Sequence, residues 1–217
     1  MTDTVEQNKQ VEAWNQLRPH FEKRENRLYA AKQSFRWFCL LYLDHLFTIK
    51  IAPFQDELFD LAKEERLLVV MPRGFGKSVV WSICYPLWVI LNNPYDLDMR
   101  WKKEDLFLIS NTADLAEMWI RRHKQELTLN SRIVNDYRVT AGDIWRNDEI
   151  EVLVGGKHHG RIVARGAGAQ IRGQHPTELV IDDLENREEA SSEGPREKMR
   201  AYFYQDLWGA LRHERGN

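Results

Sequence analysis

The chain has little that would cross-link it covalently or anchor it in a membrane. Its 217 residues include only two cysteines, Cys39 and Cys84, each inside an apolar stretch. That argues against a disulfide framework or a zinc site and fits a reducing compartment. The longest apolar run, residues 81–91, is too short to span a bilayer and contains Ser82 and Pro86. The first ten residues are polar and acidic, unlike a signal peptide. A soluble intracellular protein is therefore expected. Neither sign of charge prevails, since 31 Lys+Arg stand against 33 Asp+Glu for a net charge of −2. Any nucleic-acid surface must then be local. Glycine (12) and proline (7) are sparse, while 8 Trp, 9 Phe and 7 Tyr supply more aromatic surface than a disordered chain carries. The length suits one domain with a substantial core, with room for a small appendage.

Residues 4–48 read as helical, because Leu28, Ala31, Phe35, Phe38, Leu41 and Leu46 recur at spacings near three and four. Pro53 ends that segment, and residues 55–65 form a short amphipathic pattern. Residues 67–71 (LLVVM) have the continuous apolar character of a strand buried on both faces. A loop follows, then residues 78–91 are apolar all round, as in a helix packed against a sheet. Residues 106–110, 150–154, 162–164 and 179–181 read as further strands, with helices at 113–127 and 196–212. Such alternation predicts an α/β fold with a mostly parallel sheet flanked by helices. No internal repeat or low-complexity tract is present.

The loop between the first strand and its helix reads Pro72-Arg73-Gly74-Phe75-Gly76-Lys77-Ser78, with Val79 continuing the helix. Glycines let successive backbone N–H groups close around a phosphate, a lysine reaches the β and γ phosphates, and a hydroxyl serves Mg²⁺. The positive end of the helix adds to the attraction. Met71 stands where the first glycine of a Walker A pattern belongs, so strand–loop–helix context carries the assignment. The expected occupants are ATP and Mg²⁺, with Gly74, Phe75, Gly76, Lys77, Ser78 and Val79 around the nucleotide.

Further along, Leu179-Val180-Ile181-Asp182-Asp183 describes a buried strand delivering carboxylates. Asp182 is expected to hold the metal together with Ser78. Asp183, or Glu185 two residues on, is expected to orient the attacking water. Glu188 and Glu189 read as a solvated acidic loop. Gln55, after Pro53-Phe54, could read an adenine edge, or simply face water at a helix start. The lack of an Asn-Lys-x-Asp guanine-reading motif also favours ATP. Among arginines that could meet developing charge, Arg73 is tethered beside the phosphates, whereas Arg146 and Arg172 are candidates for action on a neighbouring subunit. Arg165 belongs to the same set, although an ordinary surface role is commoner for any one arginine. Two basic clusters, Arg121-Arg122-His123-Lys124 and Arg100 with Lys102-Lys103, could track a phosphate backbone or be plain solvated faces. His158, His159 and His175 lack metal-site spacing and read as loop histidines.

These pieces in this order resemble the large terminase subunit of tailed bacteriophages. The resemblance covers roughly residues 35–208. It rests on Ala52-Pro53-Phe54-Gln55, the variant Pro72-to-Ser78 loop, residues 109–116 (ISNTADLA), Ala169-Gln170-Ile171-Arg172-Gly173, and Val180-Ile181-Asp182-Asp183-Leu184-Glu185-Asn186. It implies a P-loop NTPase of the RecA-like kind, with a helical segment at 1–50 and an ATPase core at 51–217. That core is expected to stop before its last strands and before the nuclease domain of such proteins. The implied activity is an ATPase motor that translocates double-stranded DNA into a procapsid in the host cytoplasm. Its partners would be the DNA, a small terminase subunit, the portal protein and further copies in a ring, with no membrane involved. The alternatives are a helicase-like DNA-remodelling ATPase and a nucleotide-binding assembly module that does not hydrolyse.

Overall fold

The computed structural model describes residues 17–47, 53–72, 74–93, 104–171, 173–184 and 193–211. The expected N-terminal helix is broken within these limits. A 3₁₀ turn at Arg18–Glu22 precedes α1 (Arg24–Gln33) and α2 (Phe35–Tyr42). Ser34 causes the break between α1 and α2, taking an extended backbone (φ −144°, ψ 124°) while its side chain accepts from Trp37 N and caps α2. Serine competes for backbone donors in this way and favours caps over helix interiors. Residues 4–16 and 48 of the expected helix lie outside the described residues. Helix α3 (Pro53–Asp60) starts at a proline, whose fixed φ and missing N–H suit a first turn.

A π-helix at Val79–Cys84 continues as α4 (Tyr85–Asn92), which ends at Asn93 in the left-handed region (φ 41°). Then come β1 (Glu104–Ser110), α5 (Ala113–Leu129), α6 (Ser131–Tyr137), β2 (Val139–Trp145), β3 (Glu149–Val154), β4 (Lys157–Gly166) and β5 (Glu178–Asp182). Helix α7 (Glu193–Ala201), a π-helix at Tyr202–Leu207 and the short α8 (Trp208–Ala210) close the described chain. No helix among the described residues is long and apolar enough to cross a membrane.

The five strands form one sheet in the order β2-β3-β4-β1-β5. β4, β1 and β5 run parallel, but β2-β3-β4 is an antiparallel meander. The sheet is therefore mixed rather than mostly parallel. The difference comes from β2, whose sequence VTAGDIW has Gly and Asp inside it and no clear alternation, and from the tight Gly155-Gly156 turn, which forces β3 and β4 antiparallel.

β1 shows why a parallel strand reads as an unbroken apolar run. Leu106 and Leu108 face the main core with Val80, Leu87, Trp88, Ala116 and Ile120, whereas Phe107 and Ile109 face a second cluster with Tyr202, Leu207 and Ala210. Helices thus cover both faces, and burying side chains of this size contributes roughly 1.5–3 kcal/mol each. Trp88, at the centre of the main core, donates its indole N–H to Ala31 O at 2.8 Å and ties α4 to α1.

Residues 67–71 depart from expectation, for they form no strand. Val69 and Met71 pack against the main core, but Leu68 and Val70 are 87% and 85% exposed. Apolar sequence supplies burial tendency, while a strand also needs a ladder partner. Among the described residues β5 pairs only with β1, and its other edge faces residues 67–69 across a cavity of about 670 Å³.

Candidate functional site

Three parallel strands deliver their C-terminal ends to one place. Ser110 of β1 is in register with Gly166 of β4 and with Asp182 of β5. The glycine loop arrives beside them from 106 residues away in sequence, and Lys77 Nζ donates to Asp183 Oδ1 at 2.9 Å. The same ammonium lies 3.5 Å from Asp182 Oδ1. Gly74 and Gly76 both take positive φ, +85° and +82°, which a side chain would strain. Phe75 between them is 44% exposed, and Ser78 and Val79 are half-buried at the helix start.

Burial separates the two aspartates. The side chain of Asp182 is 6% exposed and that of Asp183 is 66% exposed. Asp183 also adopts φ +48°, in the left-handed region that aspartate tolerates better than most residues. Partial burial lowers the Lys77 pKa, but the hydrogen bond to Asp183 and the charges of Asp182 and Asp183 outweigh it, so the net direction is upward. Lys77 is thus firmly a cation, with its charge balanced by two carboxylates.

Asp182 has a second partner that the sequence did not disclose. Ser82 Oγ donates to its Oδ2 at 2.9 Å, and both residues are buried. The only hint in the sequence was a lone serine in the run Val79-Val80-Trp81-Ser82-Ile83-Cys84. Asn111, just past β1, donates to Leu184 O at 3.2 Å and braces the turn after Asp183.

A cavity of about 670 Å³ opens from Lys77 and Asp182 toward Trp81, Tyr85, Phe203 and Trp208. Its size falls within the range of small-molecule sites. Arg66 lies over the Trp208 ring at 4.8 Å on its rim. No three His, Cys, Asp or Glu side chains gather into a metal-holding cluster among the described residues. A Mg²⁺ ion does not require one, because it is usually held by one or two carboxylates plus substrate phosphates and water. One buried aspartate beside a lysine, with Ser78 at the adjacent helix start, fits that donor set.

Other candidates fall elsewhere. Arg146 sits in the β2–β3 turn, three strands from β5, or roughly 14 Å at ordinary strand spacing. It pairs there with the buried Glu149 and lies 3.5 Å from Asp148. Arg165 also binds Asp148, at 3.0 Å. The cluster at residues 121–124 does not act as one patch, since Arg121 and Arg122 are exposed, His123 is fully buried, and Lys124 reaches Trp145 O at 3.3 Å. His158 and His159 belong to β4 rather than to a loop, bound to Glu151 at 3.0 Å and to Ile90 O at 2.5 Å. Gln55 falls in α3, with its side chain outside the described residues, and Arg73, Arg172 and Glu185 lie outside them altogether, as do Arg100, Lys102 and Lys103.

No protein-family model matches this chain, and no curated protein matches its sequence.

Proposed function

We propose that this chain is a P-loop ATPase, and that its ATP hydrolysis drives double-stranded DNA into a viral procapsid. The observation that carries the nucleotide part is the meeting of Lys77 with Asp182 and Asp183 at the end of β5. Two motifs read separately from the sequence, a glycine loop ending in Lys-Ser and an apolar strand ending in Asp-Asp, converge within hydrogen-bonding distance.

In this reading the backbone N–H groups of residues 74–78 cradle the phosphates, and Lys77 exchanges its carboxylate partners for the β and γ oxygens. Ser78 and Asp182 hold Mg²⁺, which when bound neutralises charge on the phosphates. Asp183, or Glu185, accepts a hydrogen bond from the attacking water and so aims it at the γ-phosphorus. Arg73 lies in the loop itself, and Arg146 or Arg172 would act on a neighbouring subunit's nucleotide. The terminase part of the proposal rests on the order and spacing of the sequence motifs. It carries with it a ring of copies, a small terminase subunit and a portal as partners, and action in the host cytoplasm.

Titration calorimetry with ATP and Mg²⁺ tests the nucleotide site. Lys77→Ala should abolish detectable binding while circular dichroism stays unchanged, and equal affinity in a folded variant would sink the assignment. Steady-state ATP hydrolysis with and without duplex DNA, beside Asp182→Ala, then separates a motor from a non-hydrolysing assembly module. Preference for duplex over single-stranded DNA separates packaging from helicase-like remodelling.

A further inference from the structure

The helix after the glycine loop is wound as a π-helix over Val79–Cys84 before it becomes α-helical at Tyr85. A π turn closes i→i+5 hydrogen bonds instead of i→i+4, so residues five apart return toward one face, and such turns recur at functional sites. Lys77, two residues ahead of the π-helix, and Ser82 within it both reach the same carboxylate. Lys77 Nζ lies 3.5 Å from Asp182 Oδ1, and Ser82 Oγ donates to Oδ2 at 2.9 Å. The wider π turn alters the direction of Ser82 relative to a regular α-helix, in which each residue advances about 100°.

Ser82 is itself held from the other side. Its carbonyl oxygen lies 2.9 Å from Nε2 of His123 on α5, and His123 is fully buried. Neither Ser82 nor Asp182 has ready access to water, at 0% and 5% exposure, so the hydroxyl has no competing solvent partner. A carboxylate free to turn about its bond to Cβ could present either oxygen. One oxygen fixed by a buried hydroxyl leaves the other alone to face Lys77.

We propose that Ser82 is the positioning residue for Asp182, fixing which carboxylate oxygen is offered to the Mg²⁺ of the bound nucleotide. This rests on the nucleotide-site reading above and concerns the metal part of that site. Partners of this kind orient ligands, and their loss typically weakens metal affinity by about tenfold to a hundredfold.

The test uses the full chain with Ser82→Ala and Ser82→Thr, the second retaining the hydroxyl. ATP affinity is measured by calorimetry in excess chelator and across a Mg²⁺ series, with circular dichroism and thermal melting as fold controls. Ser82→Ala should bind metal-free ATP as the wild type does, yet need about tenfold more Mg²⁺ to reach the same ATP affinity. Ser82→Thr should restore the wild-type Mg²⁺ dependence. A folded Ser82→Ala with unchanged Mg²⁺ dependence overturns the proposal. So does loss of metal-free ATP binding in step with a lowered melting temperature, which would make Ser82 a packing residue. If the wild type binds no ATP at any Mg²⁺ concentration, the nucleotide reading itself falls, and this inference with it.

Discussion

Acidification should destabilise this protein through a single buried histidine. His123 lies in a basic stretch of α5, yet its ring is fully buried and faces the backbone of the π-helix. Desolvation lowers its pKa from 6.5 to about 4, against a smaller opposing effect of hydrogen bonds to the Ser82 and Ile83 backbone. The unfolded chain takes up this proton near pH 6.5, whereas the folded chain refuses it until about 4. Between those values the unfolded state binds more protons, so stability is whole above 6.5, declines as pH falls, and levels off for this group below 4. A difference of about 2.5 units at about 1.4 kcal/mol each amounts to roughly 3 kcal/mol, a large part of a typical 5–15 kcal/mol stability. The comparison is His123→Asn, which keeps a donor for the Ser82 carbonyl but cannot titrate. Urea unfolding followed by circular dichroism at pH 7, 5.5 and 4 gives the unfolding free energy of both proteins. Asn fills the site less well, so the variant should be weaker at pH 7, and the slope with pH is the diagnostic. The wild type should lose about 3 kcal/mol more than the variant on acidification. Parallel pH curves for the two proteins would refute the reasoning.

Two further perturbations follow from the ion pairs. Asp136 is nearly buried and accepts from Arg27 at 2.6 and 2.7 Å and from the Tyr42 hydroxyl at 2.9 Å, joining α6 to α1 and α2. Asp136→Ala leaves a largely buried guanidinium and a phenol without that partner, so it should cost about 3–5 kcal/mol in urea unfolding. A loss below about 1 kcal/mol would mean that water replaces the carboxylate. Asp183→Asn keeps a side chain that tolerates positive φ but frees Lys77 from one of its two partners. The Asp183 carboxylate is mostly exposed, so the pair contributes no more than about 1 kcal/mol, and ATP affinity should rise by at most about fivefold while turnover falls. Weaker ATP binding in this variant would contradict the view that Asp183 competes with phosphate for Lys77.

The sequence announced elements wherever local pattern and tertiary environment agree. β1 and β5 were legible because strands buried on both faces need unbroken apolar runs, and both have them. β2 was missed because an edge strand half open to water has no such need, and Gly142 and Asp143 hid it further. α6 escaped for a different reason, since seven residues hold too few turns for a helical period to show. The misreading of residues 67–71 is of another kind. Their pattern is right for a strand, but pattern cannot supply the neighbouring strand whose N–H and C=O groups complete it. At the candidate site, Lys77 and Asp182 could be singled out from their motifs, a glycine loop ending in Lys-Ser and an apolar strand ending in Asp-Asp, and the structure brings the two together. Ser82 could not, because its contact with Asp182 joins residues 100 apart in sequence and lies on a π-wound turn that an apolar run does not announce.

The topology supports the proposed site without reference to either motif. From β1 the chain passes into α5, whose Ala116, Ile120 and Leu127 pack in the main core beside Leu106 and Leu108. Beyond β5 the next described helices pack on the opposite face, where Tyr202, Leu207 and Ala210 meet Phe107 and Ile109. Two adjacent parallel strands therefore send their following helices to opposite faces. A change of face between adjacent parallel strands is where ligands bind in open α/β sheets. In this chain Ser110 and Asn111 stand at the end of one such strand and Asp182 and Asp183 at the end of the other, with the Asn111 amide bridging to Leu184 O. Lys77 reaches the same strand end. The antiparallel half of the sheet offers no equivalent opening, because β2, β3 and β4 are joined by tight turns that keep successive segments together. Among its charged groups, Arg146 and Arg165 pair with Asp148 and Glu149, and Arg161 bridges Glu149 to Asp105 of β1. The proposed nucleotide site thus coincides with the place where the chain changes face, rather than with the part of the sheet where ion pairs are densest.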